Sequence, residues 1–328
     1  MKAPPNLPSS STKLRIFRQL LATARPLISP GVYDGYSALM VQAMGFKTAA
    51  TTGAGLANSL LGQPDIGVMS LRDNVDACRN IARTLSIPLM ADADTGYGNA
   101  VTVYHVVQYF EEAGVVGINI EDQVMPKRCG HMRGKELVEP LEMAKKIEAA
   151  VKAKRDADFV INARTDAIAV EGIDKTLARI REYKAAGADM IYADAVRHED
   201  DVKRVVEAAG DIPVSVNMGF GIRARPTTPL ISLNRLKELG VARVSMPRLV
   251  PAAALSGMRK ALEVMRQCVE TGELVDRPDL LEGMEDITRL VGYERVSQLE
   301  NDLLPQDTLE RKYDTGTRDY VIRADGER

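Results

Sequence analysis

The chain has 328 residues, with 43 lysines and arginines against 45 aspartates and glutamates, for a formal net charge of −2. That length suits one large domain or two ordinary ones and can bury a sizeable core without staples. Near-neutral charge, 5% aromatics and no tryptophan argue against a nucleic-acid binder. No apolar run approaches the ~20 residues of a membrane span. Cys78, Cys129 and Cys268 are too few and too scattered for a disulfide framework or a zinc grid. A reducing compartment follows as the default, and the expectation is a cytoplasmic enzyme acting on a small molecule.

In chain order, residues 1–12 read as a flexible Pro/Ser leader and 12–24 as an amphipathic helix. Lys2, Lys13, Arg15, Arg18 and Arg25 precede the first acid, Asp34, which leaves organellar import open. Short apolar runs then predict buried parallel strands at 27–30, 48–52, 89–92, 117–121, 159–163, 190–193, 214–217 and 244–246. Helical patterns fall between them at 71–85, 101–113, 140–153, 175–186, 199–209 and 233–239. Gly114, Gly187 and Gly240 stand where helix C-caps belong. Eight such repeats predict an α/β fold, a (β/α)8 TIM barrel over residues 13–304, rather than an open doubly wound sheet. Further helices at 252–271, 278–291 and 293–303 exceed what a finished barrel needs and suggest packing on a partner subunit. Residues 305–328 read as a flexible tail.

A barrel carries its chemistry at the C-terminal ends of its strands. The third ends Asp92-Ala93-Asp94-Thr95-Gly96-Tyr97-Gly98 and the fourth Glu121-Asp122. Alternation along a strand lets Asp92 and Asp94 point the same way, within reach of Glu121 on the neighbouring strand. Crowded carboxylates need a cation, and oxygen donors suit Mg2+ or Mn2+. The plainer role for such acids is helix capping. Next comes Lys127-Arg128-Cys129-Gly130-His131, a thiol among cations on a glycine-containing segment able to close as a lid. Read alone, such a basic loop is equally a solvated surface. On the fifth strand Asn162 and Arg164 share a face, giving an amide and a guanidinium for a carboxylate. Asp194 and Asn217 end the sixth and seventh strands. Gly31-Val32-Tyr33-Asp34-Gly35 and Thr51-Thr52-Gly53-Ala54-Gly55 form glycine-rich turns able to hold an anion, a weak signal alone. Cys78 and Cys268 read as core packing, His105 and His198 as ordinary helix residues.

These residues resemble the isocitrate lyase/phosphoenolpyruvate mutase superfamily, particularly its methylisocitrate lyase and dimethylmalate lyase branch, from about residue 14 to 303. The motifs are Asp92-Ala-Asp94-Thr-Gly-Tyr-Gly98, Glu121-Asp122-Gln123, Lys127-Arg-Cys-Gly-His131 and Ala163-Arg164-Thr-Asp-Ala167. The cysteine loop looks like the lyase version of the gating loop. The resemblance implies a Mg2+-dependent barrel that makes or breaks carbon–carbon bonds through a pyruvate-like enolate. Asp92, Asp94 and Glu121 would hold the metal directly or through water. Thr52, Gly53 and Ala54 would grip the keto-acid carboxylate, Arg164 would neutralise the 2-oxy end and Asn217 would take the other carboxylate. Cys129 would act as general acid, with Lys127, Arg128, Gly130 and His131 forming the closed loop around the substrate. A homotetramer with exchanged C-terminal helices is also implied.

Three departures bear on the substrate. Ala50 stands where the lyases carry an aromatic residue, and Asp194 where they usually carry Glu. The seventh loop, from Asn217 to Pro229, is long and adds Arg223 and Arg225, which would face the substrate's variable end. The expectation is a lyase for a 2-hydroxy dicarboxylate or tricarboxylate, methylisocitrate-like or alkylmalate-like. An oxaloacetate decarboxylase or hydrolase is the runner-up, followed by phosphonate C–P chemistry and a catalytically silent barrel.

Overall fold

The structure is a computed structural model that describes residues 7–23, 26–223 and 227–313. Its strands are β1 (Leu27–Val32), β2 (Ala49–Thr51), β3 (Leu89–Asp92), β4 (Gly117–Glu121), β5 (Val160–Thr165), β6 (Met190–Ala193), β7 (Val214–Asn217) and β8 (Arg243–Met246). Each pairs in parallel with the next and β8 closes on β1, giving the expected eight-stranded barrel. Helix α1 (Ser10–Thr23) precedes the first strand. Around the barrel run α2 (Gly35–Ala43), α3 (Gly53–Leu61), α4 (Leu71–Thr84), α5 (Ala100–Glu112), α6 (Pro140–Ala153), α7 (Ile168–Glu171), α8 (Ile173–Ala185), α9 (Glu199–Ala209) and α10 (Leu233–Glu238). After β8 come α11 (Leu249–Thr271), α12 (Met284–Leu290), α13 (Tyr293–Leu303) and α14 (Gln306–Tyr313).

The local chemistry explains these boundaries. Ser70 caps α4 and Asp73 returns the bond in a capping box; Asn99 caps α5 and Pro140 opens α6. Gly114, Gly187 and Gly240 lie at φ of 85°, 95° and 83°, as helix-ending glycines do. The strands bury nearly every side chain. Phe17, Phe110, Phe159, Leu56 and Ile147 fill the layer between sheet and helices. Helix α1 belongs to that layer too, since Leu14, Phe17 and Leu21 are buried and the Lys13 ammonium donates to Ala82 O at 3.0 Å and Leu85 O at 2.6 Å.

The chain divides into two compact bodies, residues 6–255 and a second beginning at Ser256. In the second, the expected helix at 278–291 is shorter. Arg277 bonds both carboxylate oxygens of Asp279 in a turn, and α12 starts only after Gly283. The expected tail is also corrected, because α14 forms where Leu309 is buried and Lys312 and Tyr313 reach the Glu300 carboxylate. Residues 314–328 lie outside the described residues, as do 1–6 of the expected leader. Along α11, Leu255, Met258, Leu262, Met265 and Val269 are exposed at alternating spacings of three and four. No helix among the described residues is long and apolar enough to cross a membrane.

Candidate active site

Strand register assembles the site. Asp92 lies opposite Asn119, Glu121 opposite Arg164, and Asn217 opposite Ser245, all at the C-terminal ends of their strands. A cavity of about 60 Å³ opens there, lined among others by Thr52, Gly53, Ala54, Asp92, Cys129, Gly130, His131, Arg164, Asp194 and Asn217. Thr52 caps α3 by accepting from Gly55 N at 3.2 Å, so the supposed glycine turn is a helix start. Gly53 N donates to Asp92 Oδ2 at 3.2 Å.

Charge is balanced pairwise. Asp94 leaves the strand at φ 48°, a left-handed conformation that Asp tolerates better than most residues, and Lys127 Nζ approaches it at 2.7 Å while holding Asp65 at 2.6 Å. Burial, with Asp92 and Asp65 nearby, still pushes the Asp94 carboxyl up to about 6 against the pull of Lys127. Glu121 is driven well above its ordinary value, because burial outweighs Arg164, whose Nη1 lies 3.1 Å away. Arg164 grips Asp166 with Nε at 2.9 Å and Nη2 at 3.0 Å, and Nη2 also lies 3.5 Å from Asp194. Burial works against ionising Asp194, yet Arg164, His131 and Lys135 overcome it and hold its carboxyl below the usual range. Tyr192 OH and Asn217 Nδ2 donate to the same carboxylate.

The loop after β4 closes over this end. Gln123 clamps the Arg128 backbone with bonds of 2.8 and 2.9 Å, and Cys129 N donates to Asp65 O at 3.0 Å. Arg248 Nη2 lies 3.5 Å from Cys129 Sγ. Lys135 Nζ holds Gly130 O at 2.6 Å. A side chain on Gly130 would start 1.8 Å from Asp194 Oδ2, so the loop backbone is seated directly on the site. His131 is pulled below its usual pKa, mainly by burial, with Asp194 pulling the other way.

Several expected residues fall elsewhere. Lys127 is buried between Asp65 and Asp94 and does not line the cavity. Arg128 is exposed, since only its backbone is clamped. Arg223 is exposed beside a separate depression formed with Phe220 and Thr227, and Arg225 lies outside the described residues. Asp65, Tyr192, Arg243, Ser245 and Arg248 line the cavity without having been anticipated. For Arg243 a signal existed, a charged residue at the head of an apolar strand. For Asp65, in a connection after α3, there was none.

The three carboxylates expected to hold a metal differ in their surroundings. Among the described residues, no three acidic, histidine or cysteine side chains are grouped to hold a metal ion. Asp94 and Glu121 are paired with Lys127 and Arg164, and of the three only Asp92 lines the cavity. What remains does fit a hard, largely hydrated cation, because the donors are all oxygen. Among the described residues, Asp94 Oδ1 and both Glu121 oxygens have no hydrogen-bond partner beyond the approach of Lys127 and Arg164.

The family described as phosphoenolpyruvate phosphomutase matches residues 17–266. The chain belongs to the phosphoenolpyruvate mutase/isocitrate lyase superfamily. It is 37% identical to a 2,3-dimethylmalate lyase of Eubacterium barkeri over 87% of this chain and 96% of that one. It is equally 37% identical to a 2-methylisocitrate lyase of Shewanella oneidensis, over 89% and 97%. The solved structure of an oxaloacetate acetylhydrolase with 3,3-difluorooxalacetate superposes with a TM-score of 0.80 at 32% identity, covering 90% of this chain and 97% of that one. Within this superfamily the chain is an enzyme of the lyase class.

Proposed function

We propose that the protein cleaves a 2-hydroxy dicarboxylate or tricarboxylate, methylisocitrate-like or alkylmalate-like, into an α-keto acid and a second carboxylate. The observation that carries this reading is that the Cys129 thiol, the Asp92 carboxylate and the Arg164 guanidinium face one cavity. Enzymes of the superfamily are generally metal-dependent. Here Asp92 would hold a Mg2+ or Mn2+ ion, backed by Asp94 and Glu121. Such an ion, when bound, supplies positive charge to the 2-oxy group of the keto acid.

The chain's own residues do the rest. The Ala54 amide at the N-terminus of α3 and the Thr52 hydroxyl orient the keto-acid carboxylate, while Gly53 N is given to Asp92. The substrate hydroxyl releases its proton to solvent as the carbon–carbon bond breaks, and the electron pair of that bond moves to the α-carbon of the departing carboxylate. Cys129 delivers its proton to that carbon, and the proton released from the hydroxyl, returned through solvent, restores the thiol before the next cycle. Arg164 balances the charge that develops, while Asn217 and Asp194 position the departing fragment. His131, half-buried against the cavity, keeps water from the carbanion. Leu255 to Val269 on α11 offer an apolar stripe for a second copy of the chain, which supports a homo-oligomer, and a tetramer is the expected form.

The test is a panel of 2-hydroxy diacids and triacids assayed with Mg2+, with EDTA as the control and keto-acid release as the readout. Cys129→Ser should lower kcat by about 10² to 10⁴-fold with KM little changed. Turnover of oxaloacetate that is indifferent to this substitution would instead favour the decarboxylase or hydrolase reading, which the small cavity also accommodates.

A further inference from the structure

Three arginines line the cavity, Arg164, Arg243 and the half-buried Arg248, and their circumstances differ. Arg164 is surrounded by Asp166, Glu121 and Asp194, so its charge is already answered. Arg243 is not. It opens β8, opposite Leu27 on one side and Ser215 on the other, and is 1% exposed. Its Nε donates to Ser29 Oγ at 3.0 Å and its Nη1 to Ser215 Oγ at 3.1 Å, both neutral hydroxyls. Among the described residues its Nη2 has no partner and Arg243 makes no ion pair. Ser29 and Arg243 line the same cavity as Asp92 and Cys129.

A buried guanidinium with no counter-ion is costly. Burial alone pulls its pKa down to about 10. Arginine keeps its proton in proteins, so the cost is met by an anion rather than by neutralisation. The unbonded Nη2 is a ready donor to a carboxylate, and Ser29 and Ser215 fix the plane of the fork. Size sets a second limit. With Cys129, Gly130 and His131 seated, about 60 Å³ is open, only a few times the roughly 10–15 Å³ that admits a single water. A short diacid suits that space better than a bulky triacid.

We propose that Arg243 is the seat of a substrate carboxylate at the floor of the cavity, a subsite that selects compact four- or five-carbon dicarboxylates over tricarboxylates. This rests on the lyase reading above and narrows its substrate.

The test uses succinate, which has no bond to cleave here, and its half-amide succinamate, titrated calorimetrically into the full-length protein with Mg2+. Wild type should bind succinate at least 10-fold more tightly than succinamate. Arg243→Met should erase that preference, and Arg243→Lys should keep part of it. An unchanged preference in Arg243→Met would reduce Arg243 to a strut between Ser29 and Ser215 and overturn the proposal. Should Arg243→Met fail to fold, the ¹⁵N-arginine Nε–H resonance lost in Arg243→Lys decides, because succinate must shift it in wild type. Tricarballylate should not displace succinate; displacement would overturn the size limit. Because succinate is not turned over, intact discrimination without any diacid cleavage would sink the lyase reading alone. Cleavage without discrimination would sink only this subsite.

Discussion

Gly130 has no space for a methyl group. A Cβ there would meet Asp194 Oδ2 at 1.8 Å and Arg164 Nη2 at 2.7 Å, so Gly130→Ala must lift the loop from the site. The expected result is a loss of about 10²-fold in kcat/KM, the cost of misplacing a catalytic group by an ångström, with thermal stability unchanged. A fall in Tm that tracks the loss of activity would mean the loop is structural instead. Asp94 gives a pH signature. Unfolded it titrates near 3.8 and folded near 6, so the native state keeps the proton longer. Its contribution to stability is therefore complete below 3.8 and is lost as pH rises through 6. Urea midpoints in EDTA should show wild type losing ground to Asp94→Asn across that window, and a constant gap from pH 4 to 7 would contradict the assignment. At this scale the sequence showed which residue types gather at the strand ends, because alternation and register are periodic. It could not show that Lys127 answers Asp94 and Asp65 together, since Asp65 arrives from a connection with no pattern of its own.

Secondary structure followed the sequence where caps and apolar periodicity agreed. Helices α6 and α9 begin and end where Pro140 and the acid-rich start at Glu199 place them. Helix α3 was hidden because Gly53-Ala54-Gly55 reads as a turn; the overlooked mark was Thr52, a capping hydroxyl immediately before it. Strand β8 was begun one residue late, since Arg243 breaks an otherwise apolar run, and that omission concealed the floor of the cavity. Caps also offer a clean measurement. Asn99 accepts from Val101 N at 3.0 Å and Thr102 N at 3.3 Å at the exposed start of α5, and it does not line the cavity. Asn99→Ala should cost about 1 kcal/mol of unfolding free energy and leave kcat untouched. A neutral substitution would show that this helix start is held by packing alone.

The barrel was legible as a whole because eight buried runs alternate with helices, and few other architectures take that count. The surplus helices beyond β8 were legible as surplus, but not their bounds, which depend on a turn at Arg277–Asp279 and on Glu300 rather than on apolar spacing. The exposed repeat on α11 carries the prediction at this scale. Wild type should sediment well above 35.8 kDa, and Leu262→Glu with Val269→Glu should release species of that mass. A monomeric wild type would leave the stripe without a purpose.

The anchoring of α1 reaches further than its position suggests. The Lys13 ammonium occupies the carbonyls that end α4, and Phe17 beside it has no exposed surface. A peptidase trimming this end can therefore advance only to about Ser10 without stripping the underside of the barrel, and any shorter mature form would arrive with a core already open to solvent.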